Sequence, residues 1–194
     1  MNPAGILSLA AQTVVSPRDV ARLLLSIRPG AEALWTAFAL VVVLNTLVFS
    51  ASHLLAPVPV PGVLANPAVF AAMQAAVLAS TIAALTWVGG LFGGTARLRD
   101  MALLLIWMQA LRVLALALMA LVLPLAPVLG TGVFMAITGL GLWILLNFID
   151  EAHGLGSLLK AGAVAGLGLL AMAFALSIVL ALAGVDPNGM ALNV

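Results

Sequence analysis

Asn45, Gln109 and Arg112 stand inside otherwise apolar stretches of this chain. Arginine keeps its proton at neutral pH, so Arg112 cannot serve as a proton relay. In an apolar medium it can line a path for an anion or a lipid headgroup. It can equally act as a hydrogen-bond hub, or snorkel along its own aliphatic stem. Gln109 precedes it by one helical turn and shares its face. Asn45 lies at similar depth in an earlier apolar segment and is the expected partner. Neither role is excluded by the residues alone.

Asp150, Glu151 and His153 form the one cluster with metal-ligand chemistry. A zinc site needs three or four ligands at defined spacings, and one histidine with two neighbouring acids falls short of that. No metal is expected. The simpler expectation is a solvated turn in which the acids pair with Lys160 or Arg97. Asp150 and His153 share a face only if the preceding helix continues that far.

The stretch "VGGLFGGTARLRD", residues 88–100, holds Gly89, Gly90, Gly93 and Gly94. A phosphate loop of the G-x-x-x-x-G-K-[ST] type uses a lysine to reach the terminal phosphates. Gly89, Gly94 and Thr95 fit part of that frame, but no lysine separates Gly94 from Thr95. A second use is helix packing: Gly89 and Gly93 are four apart, as are Gly90 and Gly94, and bare faces let helices approach closely in lipid. Gly162 and Gly166 repeat the spacing, followed by Gly168, and Gly139 and Gly141 stand in the segment before. Gly93 and Gly94 can also lie past a helix end and form its turn. No H-E-x-x-H or G-x-S-x-G motif is present, and there is no cysteine, hence no disulfide or thiolate chemistry. No cofactor and no enzymatic activity are expected.

The elements that must position these residues follow from composition. Of 194 residues, 65% are hydrophobic and 7% charged, against roughly 25% charged in soluble domains. So few charges cannot cover a water-soluble globule. A spanning helix takes about 20 apolar residues, and five stretches qualify: about 33–55, 68–92, 100–123, 128–149 and 157–184. The expected fold is all-α, a polytopic bundle of five transmembrane helices. "APVPVPG" (56–62), "PLAP" (124–127) and "DEAHGLGS" (150–157) separate spans, and Asn66-Pro67 is a cap and first-turn pair.

Lysine and arginine alternate across the loops. Arg18, Arg22 and Arg28 precede the first span, Arg97 and Arg99 lie between the second and third, and Lys160 follows the fourth. The intervening loops and the tail "GVDPNGMALNV" have none. The positive-inside rule then sets the N-terminus in the cytoplasm and the C-terminus outside. Trp35, Trp87 and Trp143 are expected near the cytoplasmic span ends, as in an interfacial belt. The opening "MNPAGILSLAAQTVV" has no signal-peptide pattern, so the N-terminus is expected to be retained.

Residues 1–30 are thus a cytoplasmic segment, 31–186 the membrane domain, and 187–194 a short outside tail. Within the first, 16–28 reads as an amphipathic interfacial helix, capped by Ser16, begun by Pro17 and ended by Pro29-Gly30. Val20, Leu23, Leu24 and Ile27 share one face; Arg18, Asp19, Arg22 and Ser26 lie opposite. Arg18, Arg22 and Arg28 can rest on anionic lipid, or the helix can receive a partner. A lead-in turn that merely orients the first span is the alternative.

This layout resembles the Yip family of five-span membrane proteins, most closely its bacterial branch. The matching stretches are "GGLFGGTARLRDMALLLIW" (89–107) and "WILLNFIDEAHGLGSLLKAGAVAG" (143–166). The resemblance implies a bacterial inner-membrane protein. Eukaryotic members bind one another and prenylated Rab GTPases through tyrosine-containing motifs in a longer N-terminal region. This chain has no tyrosine, so Rab-type binding does not carry over to any of its residues. The expected function is a non-enzymatic scaffold or accessory protein, with membrane lipids, further copies of itself or a larger membrane complex as partners. Nucleic acid is not expected. The alternative is a small transporter or lipid- and anion-handling protein centred on Arg112.

Overall fold

The computed structural model describes residues 3–55, 66–122 and 130–182, all but the connecting residues in helices. In chain order these are α1 (Pro3–Val15), α2 (Pro17–Ile27), α3 (Ala31–Leu55), α4 (Pro67–Leu91), α5 (Leu98–Val122), α6 (Gly130–His153) and α7 (Leu158–Leu182). The last five are each long and apolar enough to cross a bilayer. The protein is a multi-pass membrane helix bundle. The proline stretches 56–62 and 124–127, the tail and Asp186 lie outside the described residues.

Local chemistry sets most helix ends. Asn66 accepts a hydrogen bond from the Ala68 N–H (2.9 Å) and Pro67 begins α4, as the sequence leads one to expect. Ser16 stands at the start of α2 but makes no side-chain cap. Its N–H donates to the Gln12 carbonyl and its own carbonyl accepts from Val20, so α1 runs almost directly into α2. α1 is a helix beyond the elements expected from the sequence.

α4 packs along α7, α3 along α5, and α6 lies against both α7 and α2. Buried side chains concentrate at one end of the bundle. Leu78, Ile82, Leu85 and Val88 of α4 meet Ala161, Val164 and Ala165 of α7, with Met101, Leu105 and Ile106 of α5 and Ile149 of α6. The same end carries Arg18, Arg97 and Lys160. Towards the opposite end, exposed Leu118, Phe134, Leu170 and Phe174 present apolar surface suited to lipid tails.

α2 does not simply lie on a surface. Val20, Ala21 and Leu24 are buried in a second cluster with Leu104 of α5 and Ile144 and Phe148 of α6. The buried stripe is therefore Pro17, Val20, Ala21 and Leu24, whereas Leu23 and Ile27, expected on the same face, are exposed. The small Ala21 permits the close approach, and the stripe is rotated accordingly. α1 is tied in by the Trp107 indole N–H, which donates to the Thr13 hydroxyl (3.1 Å).

Candidate functional site

Polar chemistry gathers where α2, the end of α6 and the α4–α5 turn meet. α6 continues to His153, so Asp150, Glu151 and His153 belong to a helix and not to a solvated loop. Asp150 Oδ2 receives the Arg18 guanidinium at 2.6 Å, and its Oδ1 accepts the Ser157 N–H at the start of α7 (2.9 Å). Its side chain is only 6% exposed. Glu151 takes Arg22 in a fork, Nε to Oε1 at 2.8 Å and Nη2 to Oε2 at 3.1 Å. The hydrogen bond and charge of Glu151, the larger influences, hold the Arg22 proton still more firmly than usual. The expected pairing with Lys160 or Arg97 is thus corrected: the partners are Arg18 and Arg22, about 130 residues earlier. Both acids were legible as lying on the same membrane side as these arginines, and that was the available signal.

His153 is fully buried against α4. A Cβ added at Gly94 would stand 2.6 Å from the His153 Cβ, and one at Gly89 would stand 2.6 Å from its Nδ1 and closer still to Cε1 and Nε2. Only glycine at both positions leaves room for the ring. The Leu85 carbonyl approaches the imidazole, yet neither ring nitrogen gains a hydrogen bond of acceptable geometry among the described residues.

The glycine stretch is now accounted for atom by atom. Gly93 adopts φ +82°, a left-handed conformation that suits glycine. Its N–H donates to the Gly90 carbonyl and the Gly94 N–H to the Gly89 carbonyl, the paired bonds of a Schellman helix stop. The Thr95 N–H donates to the His153 carbonyl. These amides are already bonded, so the stretch offers no cradle for phosphate. Within the chain, the i, i+4 glycine faces are not the packing seams. Gly93 lies past the helix, Gly90 is exposed, and beyond its own stretch of helix no described atom lies within 4 Å of a Cβ at Gly90, Gly162 or Gly166. α4, α6 and α7 do pack together, but through Gly89, Gly94 and Gly168. A Cβ at Gly168 would lie 2.5 Å from Leu85 Cδ2.

Among the described residues, no hydrogen bond joins the intramembrane polar residues to one another. Asn45 is buried, but its Nδ2 donates to the Val41 carbonyl one turn back on α3 (2.8 Å), not to Arg112. Gln109 is half-buried. Arg112 stands exposed on α5, about 21 Å along it from Leu98 at 1.5 Å per residue, and has no hydrogen-bond partner among the described residues. Trp35 and Trp87 lie within about one turn of their helix ends. Trp143 does not: with α6 running on to His153, it is about 15 Å from that end. Of the membrane-surface arginines, Arg18 and Arg22 are held by α6, and Arg28 is exposed at the end of α2.

No protein-family model matches the chain, and no curated protein or solved structure is significantly similar to it.

Proposed function

We propose that the protein is a non-enzymatic membrane scaffold or accessory subunit that acts through helix–helix contacts with copies of itself or a larger membrane complex. The observation that carries this is the placement of Arg112. A cation at mid-bilayer depth on the outer face of a single chain is costly, roughly 2.5–3.5 kcal/mol on the insertion scale, unless something outside the chain receives it. A path for solutes would instead gather Arg112, Gln109 and Asn45 around one passage, and Asn45 is engaged with its own helix. The open glycine faces at Gly90, Gly162 and Gly166 fit the same role, because they leave room for another backbone to approach.

The Yip-family resemblance belongs to this proposal, as do a bacterial inner-membrane location, a cytoplasmic N-terminus and an outside C-terminus. The Arg18 contact with the nearly buried Asp150 gives such a subunit a firm cytoplasmic end. Purification of the tagged protein from its native membrane in mild detergent, with native mass spectrometry of the intact particle, tests the idea. A stoichiometric foreign subunit, or a defined homo-oligomer lost on Gly162→Leu/Gly166→Leu, is expected. A solitary chain whose membranes lose a measurable solute flux on Arg112→Leu would overturn it.

A further inference from the structure

Two adjoining clefts open at the arginine-bearing end, apart from the ion pairs on α6. The first, about 470 Å³, is walled by Leu25 of α2 and Arg28 just past its end, Leu34 of α3, Arg97 before α5, and Arg99 and Leu103 of α5. Its size falls in the range of small-molecule sites. Among the described residues, Arg28, Arg97 and Arg99 have no carboxylate within ion-pair distance, unlike Arg18 and Arg22. The one acid in the wall, Asp100, accepts the Arg97 backbone N–H with Oδ2 (3.0 Å), serving the start of α5. Three cations against one acid leave the cleft with a formal charge of +2. Arg28 is also the only non-glycine residue with positive φ (45°) among the described residues. Asparagine or glycine would adopt that conformation more readily, so the cationic side chain stands there at a conformational cost.

The second cleft, about 300 Å³, shares Leu34 and Arg99 with the first and continues between α3, α4 and α5. Its wall is apolar: Trp35, Phe38, Ala83, Ile82, Ala102 and Ile106. From Leu98 to Ile106 it follows α5 for about 12 Å. Trp35 and Phe38 stand edge to face at 5.8 Å between centroids, and Trp35 is largely exposed on the level of the helix end.

We propose that these clefts together bind one anionic glycerophospholipid, its phosphate among Arg28, Arg97 and Arg99 and an acyl chain along the α3–α4–α5 groove. Charge complementarity selects the headgroup, because basic pockets between membrane helices at the basic side collect anionic lipid. The continuous apolar wall distinguishes a lipid from a free anion, which would gain nothing from Phe38 or Ile106. Arg99, present in both clefts, stands where headgroup meets chain. The site does not depend on the scaffold role, since it uses neither Arg112 nor the glycine faces.

The test uses the full chain purified in mild detergent and titrated with phosphatidylglycerol, phosphatidylcholine or inorganic phosphate, read by native mass spectrometry and thermal shift. Phosphatidylglycerol alone is expected to remain bound and to raise the melting temperature. Each arginine near a membrane surface contributes about fivefold to affinity, so Arg28→Gln/Arg99→Gln should weaken retention about thirtyfold. Ala83→Phe, on the exposed lip of the groove, keeps every arginine and should also displace the lipid. Equal binding of phosphatidylcholine, or unchanged phosphatidylglycerol retention in both variants, would overturn the proposal. An equal thermal shift with inorganic phosphate would overturn it in favour of a free-anion site.

Discussion

Gly89 and Gly90 are neighbours in sequence, and substitution of each by alanine should move stability in opposite directions. An added methyl gains helix propensity at both positions, up to about 1 kcal/mol, less at a helix end. At Gly90 the new Cβ meets no described atom within 4 Å, so Gly90→Ala should stabilise by about 0.5 kcal/mol. At Gly89 it enters the His153 imidazole. That ring has little room to swing clear, because it is fully buried and pressed by Gly94 as well as Gly89. Overpacking a tight core costs about 1–3 kcal/mol, and a clash with a fixed ring belongs at the upper end. Set against the propensity gain, Gly89→Ala should lose about 2 kcal/mol. For a chain of this size that is roughly 4–8 °C of melting temperature, against a rise of about 1–2 °C for Gly90→Ala. Thermal unfolding in one detergent, followed by circular dichroism, measures both. The double variant Gly89→Ala/His153→Ala should recover more than half of the loss, since the two residues interact directly. Shifts of the same sign at Gly89 and Gly90, or no recovery on removing His153, would refute the cradle.

The two ion pairs should also separate. Arg18→Met leaves the nearly buried Asp150 carboxylate without its charged partner and should cost about 1.5–3 kcal/mol, whereas Arg22→Met, at an exposed pair, should leave the melting temperature within experimental error. Trp107→Phe removes the bond to Thr13 and about 1 kcal/mol; amide hydrogen exchange should quicken in α1 while α4 and α7 keep their protection. Arg112→Leu should leave the melting temperature of the single chain unchanged or raised, because no described contact is lost, while any co-purifying subunit dissociates.

The five spans were legible because hydropathy accumulates along about 20 successive residues and needs no knowledge of neighbours. Asn66-Pro67 could be placed for the same local reason, as could the alternation of basic loops. Even so, the apolar pattern places the end of the fourth span at 149, since acids beside glycines look like a loop. α6 in fact reaches His153 because Asp150 and Glu151 find guanidiniums there, and because Gly154, at φ +65°, and the Leu155 N–H to Asp150 carbonyl bond supply the stop one residue later.

What no local pattern contains is the rotation of one helix against another. Spacing four apart placed Gly89 with Gly93 and Gly162 with Gly166 on common faces, but which face meets a neighbour is decided by the whole packing. Packing chose Gly89, Gly94 and Gly168, opposite His153 and Leu85. The buried stripe of α2 is likewise set by its docking on α5 and α6, which turned Leu23 and Ile27 outward. The sequence by itself determined the number of spans, their breaks and the side on which the charges collect, all sums over neighbouring residues. Only the tertiary structure decided that Arg18 meets Asp150, that Asn45 bonds its own helix and not Arg112, and that Arg28, Arg97 and Arg99 line one cleft. Those pairings join residues far apart in the chain, and the orientation that unites them is an energy of the entire bundle.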